Sequence, residues 1–138
     1  MSDQIEEVTP TQAWHILQDD PNAALIDVRT DPEWRFVGVP DISSLGRNLI
    51  KISWQTWPDS SINRQFVKEL ARHVRPEQTL LFICRSGARS LHAARLAAAN
   101  GFARSLNVAS GFEGGIDASR HRAGPNGWKH EGLPWTQE

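Results

Sequence analysis

The sequence of 138 residues has little cysteine, little net charge and no long apolar run. Its one cysteine, Cys84, excludes an intramolecular disulfide and is typical of a reducing compartment. The longest apolar stretch, residues 80–84, is far shorter than the roughly 18–20 residues of a membrane-spanning helix. Residues 1–8 are polar and acidic, unlike a secretory signal. A net charge of −1 does not indicate a nucleic-acid or membrane partner, so we expect a cytoplasmic protein.

Length and composition predict one folded domain. A chain of 138 residues is near the common size for a single core, and it needs neither a disulfide nor a metal to stay folded. Hydrophobic residues make up 39% and charged residues 22%, which is typical of a globular protein. The sequence shows neither an internal repeat nor a low-complexity segment. We therefore expect one domain over residues 1–138, with its core at about 8–135.

Short β-rich runs alternate with helical patterns, which predicts an α/β fold with a parallel sheet. The pattern predicts strands at residues 24–28, 49–52, 79–84 and 105–108, and helices at residues 10–18, 32–37, 62–73 and 90–100. Thr9 and Gln12 form a capping box before the first helix, with Pro10 at its first position. Residues 38–46 are rich in turns and have no assignment. We interpret the part after Gly111 as an ordered segment that packs over the domain and buries Phe112, Trp128, Leu133 and Trp135.

The loop between the strand at residues 79–84 and the next helix carries the strongest chemical signal. It contains Cys84, Arg85, Ser86, Gly87, Ala88, Arg89 and Ser90. Sites in parallel sheets gather at the carboxyl ends of strands, and such a loop turns backbone N–H groups towards a central anion. The positive helix end and the two arginines add to this field. All of these favour a thiolate, which is the nucleophilic form of cysteine.

An inert role for Cys84 is the alternative, because a lone cysteine after an apolar strand is commonly a small buried hydrophobe. The flanking residues favour the reactive role. A cysteine that only fills space in the core would not need the charged residues Arg85 and Arg89 nearby. Gly87 supplies backbone conformational freedom where the loop must turn tightly. We therefore predict Cys84 as a nucleophile.

Three motifs in the chain resemble those of the rhodanese family. The first is Leu25-Ile26-Asp27-Val28-Arg29 followed by Glu33, and the second is the loop at residues 84–90. The third runs through Asn107-Val108, Gly111-Phe112-Glu113-Gly114, Gly127-Trp128 and Gly132-Leu133-Pro134. Together they span nearly the whole chain in the family's order. Two departures are Gly38-Val39-Pro40-Asp41-Ile42, where many members have Gly-His-Ile-Pro-Gly, and a longer segment at residues 115–126.

This resemblance implies a five-stranded parallel sheet flanked by helices and a sulfurtransferase activity without a cofactor. The Cys84 thiolate would attack the outer sulfur of thiosulfate or a similar donor, release sulfite and keep a persulfide. Cyanide or a thiol would then take the sulfur. The N–H groups of residues 85–89 would cradle the persulfide, and the arginines, Arg89 first, would bind the anionic donor.

Other functions remain open beside this one. Cysteine-dependent phosphatases place five residues between the nucleophile and the arginine, whereas four separate Cys84 from Arg89, so phosphatase and arsenate reductase activities are less favoured. A carrier that takes persulfide from one protein and passes it to another would have the same loop. A redox sensor would have to work without a resolving cysteine.

The remaining polar and aromatic residues receive structural interpretations. We expect Arg29 and Glu33 to pair and brace the carboxyl edge of the sheet, and Asp27 to bond a neighbouring loop. The histidines lack ligand spacing, so no metal site is expected. Trp54, Trp57 and Trp128 are expected to pack structurally; the alternative is that they or the segment at residues 115–126 line the active site.

Overall fold

The computed structural model describes residues 4–56, 58–114 and 127–137. The helices are α1 (Pro10–Asp19), α2 (Asp31–Phe36), α3 (Phe66–His73) and α4 (Ala88–Ala99), with a 3-10 turn at Ser43–Leu45. The strands are β1 (Glu7–Val8), β2 (Ala24–Asp27), β3 (Val39–Pro40), β4 (Ile50–Lys51), β5 (Leu80–Ile83), β6 (Ser105–Val108) and β7 (Trp135–Thr136).

Across the described residues, five strands form one sheet in the order β1-β6-β5-β2-β4. Every neighbouring pair in it is parallel. Strands β3 and β7 form a separate antiparallel pair. The predicted single-domain α/β fold with a five-stranded parallel sheet flanked by helices is confirmed. No helix within the described ranges is long and apolar enough to cross a membrane.

Strand β5 lies at the centre of the sheet, and all four of its residues are fully buried. Its side chains alternate between two apolar clusters, as the two-residue period of a strand requires. Leu80, Phe82 and the following Cys84 pack with residues of α3 and α4. Leu81 and Ile83 pack on the other face, with α1 and Trp128. The run of apolar residues is therefore continuous because both faces are covered.

Two helices begin where the sequence pattern did not place them. Helix α4 starts at Ala88, two residues earlier than predicted, because Gly87 takes a left-handed φ of 110° and forms the N-cap. Helix α3 starts at Phe66 instead of residue 62, since Ile62 forms an antiparallel bridge with Gln55. The capping box before α1 is confirmed, with Thr9 Oγ1 accepting from the Gln12 N–H at 3.1 Å.

The two-residue strands β1, β3 and β7 lie in segments for which the sequence pattern predicted no strand. Strand β1 escaped prediction because its two residues show no period; it lies at the edge of the sheet and pairs with β6. In the C-terminal part Phe112 and Trp128 are fully buried, as predicted, but Trp135 is 42% exposed. It lies on β7 with the Lys129 ammonium 4.0 Å from its ring. Trp57 and residues 115–126 lie outside the described residues.

Replacing a leucine in β5 should be far more damaging than replacing one on the surface of α4. Leu81→Ala removes a fully buried side chain and should lower the free energy of unfolding by about 2–5 kcal/mol. Leu96→Ala is the matched control because Leu96 is 36% exposed, and it should cost less than about 1 kcal/mol. Urea denaturation measures both. Equal losses would contradict the central position of β5.

Candidate active site

The Cys84 sulfur lies directly after β5, in a residue that is only 1% exposed. Its Sγ accepts a hydrogen bond from the Gly87 N–H at 3.1 Å. The Ser90 hydroxyl lies 3.3 Å from the same sulfur. The Gly87 N–H and the partial positive charge of the first turn of α4 stabilise negative charge on sulfur, and the Ser90 hydroxyl does so when its proton points to Sγ.

Asn107 on β6 supports this loop from behind. Its Nδ2 donates to the Gly87 carbonyl and to Glu7 Oε1, each at 3.1 Å. Its Oδ1 lies 2.5 Å from Ser90 Oγ. The single hydroxyl proton of Ser90 can serve Asn107 or Cys84, but not both at once. In the sequence, Asn107 stood out only as part of the third motif, which did not reveal this role.

The backbone after Cys84 is held by residues 111–113. The N–H of Phe112 donates to the Cys84 carbonyl at 2.8 Å, and that of Glu113 to the Arg85 carbonyl at 2.9 Å. Gly111 has a left-handed φ of 58°, and a Cβ there would collide with the Cys84 carbonyl oxygen and lie 2.7 Å from the Arg85 carbonyl. This close approach requires glycine.

A pocket of about 370 Å³ opens above the sulfur. It is lined by Glu33, Cys84, Arg85, Ser86, Ala88 and Arg89. Most of the predicted loop residues therefore meet in one place, while Gly87 and Ser90 are buried behind them. Trp54 packs on Phe66 and Trp128 packs on Trp14, so neither lines this pocket.

A larger cavity of about 780 Å³ lies at the opposite end of the sheet. Its lining includes Thr79 before β5, Ser105 at the start of β6 and Ala99 at the end of α4. None of its lining residues is a cysteine, a histidine or an aspartate. We therefore assign the chemistry to the smaller pocket at Cys84.

Arg89 is held by Glu33 in a two-point ion pair. Its Nη1 and Nη2 donate to the two carboxylate oxygens at 2.7 and 2.9 Å. Glu33 Oε1 also accepts from the Thr30 N–H at 3.2 Å and from its hydroxyl at 3.0 Å. Burial raises the pKa of Glu33, but Arg89 and the Thr30 hydrogen bonds outweigh it and hold that pKa below 4.5. The hydrogen bonds to Glu33 raise the pKa of Arg89.

The predicted pairing of Arg29 with Glu33 is wrong. Arg29 binds Asp27 instead, with Nη2–Oδ2 at 2.7 Å and both side chains fully buried. The same nitrogen donates to the Gly38 carbonyl at 2.7 Å, and the guanidinium carbon lies 4.4 Å above the Phe112 ring. Arg29 therefore turns back into the core, whereas Glu33 lies one turn into α2 and faces Arg89. Asp27 bonds Arg29 and not a neighbouring loop.

The second arginine of the loop also faces a carboxylate. Arg85 Nε lies 3.5 Å from Glu113 Oε2, with side-chain exposures of 45% and 11%. In the sequence, Glu113 was visible only as part of the third motif. Across the residues that the structure describes, no three His, Cys, Asp or Glu side chains converge on a metal position.

Comparisons with known proteins agree with this geometry. The family described as "STR4 middle domain" matches residues 6–138. The crystal structure of Rv0390 from M. tuberculosis is 47% identical with a TM-score of 0.89, covering 96% of this chain and 98% of that one. The uncharacterized protein RC0915 of Rickettsia conorii is 33% identical over 95% of this chain and 97% of its own length. The rhodanese-like domain-containing protein 4 of Arabidopsis thaliana is 31% identical over 91% of this chain and 24% of its own.

The chain belongs to the rhodanese-like family. The resemblance seen in the three sequence motifs is thereby confirmed. Among its relatives is thiosulfate sulfurtransferase 18 of Arabidopsis thaliana, 26% identical over 86% of this chain and 83% of that protein. The function of this rhodanese-like domain is therefore of the sulfurtransferase-family kind, a family that also includes non-catalytic members.

The Glu33–Arg89 pair should stabilise the rhodanese-like domain in a pH-dependent way. Because the folded-state pKa of Glu33 is lowered, its contribution is present above about pH 4.5 and is lost as pH falls through the folded value. At pH 7, Glu33→Gln should cost about 0.5–1 kcal/mol, and this cost should decrease as pH falls below 4.5. Urea denaturation of both proteins at several pH values measures it. A cost that is the same at pH 7 and pH 3 would exclude an ionic contribution.

The contact of Gly111 with the loop gives a second prediction. Gly111→Ala should lower the free energy of unfolding by about 3 kcal/mol or more, since it combines a left-handed φ with a collision against the Cys84 carbonyl. Gly46→Ala is the matched control: Gly46 has a φ of 74° with nothing within 4 Å, so its cost should be about 1–2 kcal/mol. Thermal or urea unfolding compares the two. Similar losses would show that the loop is not tightly packed on Gly111.

Proposed function

We propose that this protein is a sulfurtransferase that moves sulfane sulfur through a persulfide on Cys84. The observation that carries the proposal is the placement of Sγ beneath an open pocket, 3.1 Å from the Gly87 N–H and 3.3 Å from the Ser90 hydroxyl. These donors stabilise the thiolate before the reaction. They also stabilise it when it leaves after the second step.

The reaction consists of two displacements at sulfur. The Cys84 thiolate attacks the outer sulfur of thiosulfate, a new S–S bond forms, and the old S–S bond breaks with its electron pair leaving on sulfite. A Cys84 persulfide remains. An acceptor such as cyanide then attacks the outer sulfur of the persulfide, thiocyanate leaves, and Cys84 returns to the thiolate. Donor and acceptor use the same pocket in turn, which is ping-pong catalysis.

The loop residues have separate roles in this proposal. The turn at Gly87 directs its N–H to the sulfur, and further N–H groups of residues 85–89 would surround the added sulfur atom. Ser86 and Ala88 form an exposed rim, which leaves room for a small donor or for a cysteine carried by a partner protein. Arg85 and Arg89 lie at the same rim and would orient the donor. No cofactor takes part in these steps.

The mass of the intact protein tests the persulfide directly. Reduced protein incubated with thiosulfate, or in parallel with an alkyl persulfide, should gain one sulfur atom, about 32 Da, because only Cys84 can hold it. Added cyanide should remove the gain and release thiocyanate. Mass spectrometry follows both steps.

Cys84→Ser is the control, and it should remain at its original mass with either donor. If neither donor adds sulfur to the folded, reduced wild-type protein, the proposal is wrong. Turnover with cyanide then separates a catalyst from a carrier: repeated cycles support the enzyme, and a single stoichiometric transfer supports the carrier.

A further inference from the structure

Both arginines of the catalytic loop face glutamates from outside the loop. Arg89 is bound at two points by Glu33 of α2, at 2.7 and 2.9 Å, and these side chains are only 23% and 20% exposed. Arg85 lies 3.5 Å from Glu113, which is 11% exposed. Neither cation is therefore free to meet an incoming anion without competition from a carboxylate.

The charges around the sulfur nearly cancel. The two arginines balance the two glutamates, so the Cys84 thiolate leaves the site with one net negative charge. Because the pairs are partly buried, water screens these charges less than it would on an open surface. A dianion that enters this pocket is therefore attracted less than it would be by unpaired arginines, whereas a neutral or singly charged donor loses little.

We propose that Glu33 determines donor specificity: by occupying Arg89 it selects against dianionic thiosulfate and favours a persulfide of the class R–S–SH. This inference rests on the proposed sulfurtransferase function. Glu33 acts through Arg89 and is a positioning residue, not a catalytic one. The donor is thus a low-molecular-weight or protein persulfide, which brings one charge at most on its reacting sulfur atoms.

The chemistry of the two donors differs in the charge that the site must hold. With R–S–SH, the Cys84 thiolate bonds to the terminal sulfur, the S–S bond breaks, and R–S⁻ leaves with the electron pair. The product is Cys84–S–SH, and one negative charge is present throughout. With thiosulfate, the thiolate and the donor together carry three negative charges, and sulfite leaves with two. An arginine free of its carboxylate would stabilise the second reaction much more than the first.

Glu33→Gln tests this inference with little structural change. Glutamine can still accept from the Thr30 N–H, so the start of α2 keeps its cap while the charge is removed. The kcat/KM for thiosulfate should rise about tenfold, and that for the persulfide of 2-mercaptoethanol should change less than about twofold. In the wild-type protein the persulfide should be the better donor by at least about tenfold.

Two controls separate specificity from general charge or stability. Glu77→Gln makes the same charge change at an exposed site before β5, at the opposite end of the sheet, and should leave both donors unaffected. In an Arg89→Gln background, Glu33→Gln should no longer change the ratio of the two donors, because Glu33 then has no arginine to occupy. If Glu33 acted only through folding, Glu33→Gln would change kcat/KM for both donors by the same factor.

The outcomes are distinct. A donor ratio that Glu33→Gln leaves unchanged, or a wild-type preference for thiosulfate, overturns the inference while the proposed function stands. If neither donor loads Cys84, the proposed function fails. In that case, calorimetric binding of thiosulfate to Cys84→Ser, with and without Glu33→Gln, tests whether Glu33 weakens thiosulfate binding. About tenfold tighter binding with Gln supports the inference, and equal binding overturns it.

Discussion

The turn at Gly87 is the constraint on which the rest of the site depends. A φ of 110° lets the chain reverse within three residues of Cys84, so that the Gly87 N–H reaches the sulfur and α4 begins at the next residue. A side chain at this position would be strained whatever space it had. The Gly87 carbonyl is in turn held by Asn107 of β6. The surroundings of the Cys84 sulfur therefore depend on one backbone conformation, which the adjacent strand supports.

Two segments distant in sequence complete the site around this turn. Residues 111–113 hold the carbonyls of Cys84 and Arg85 and bring in Glu113, and α2 brings in Glu33. The first contact holds the backbone at Cys84 and Arg85 against residues 111–113. The second places a carboxylate beside Arg89. The buried Arg29, which pairs with Asp27, contacts both segments: it donates to the Gly38 carbonyl after α2 and lies above the Phe112 ring.

Some sequence patterns predicted the observed structure correctly, and others did not. The apolar run before Cys84 identified the central strand, because burial on both faces leaves a continuous trace in the sequence. The glycine and arginines after it identified the loop. Helix α4, however, begins two residues earlier than predicted. Its left-handed cap at Gly87 depends on a tight turn that helix propensity does not predict. The pairing of Arg29 with Glu33 was wrong because a four-residue spacing shows proximity along the chain, but not the direction in which a long side chain turns.

The sequence by itself determined the family and the α/β sheet, and it pointed to Cys84 and the loop that surrounds it. All of these are local: they depend on residue types that follow one another and on periods of two or about four residues. Only the tertiary structure decided which carboxylate meets which arginine, and that Asn107 stands behind Gly87. Glu33 and Arg89 are 56 residues apart, and the sheet order that brings α2 beside α4 arises from packing of the whole chain. The residues of the loop therefore indicate sulfur chemistry, whereas the charge balance that would select the donor depends on contacts that form only in the folded protein.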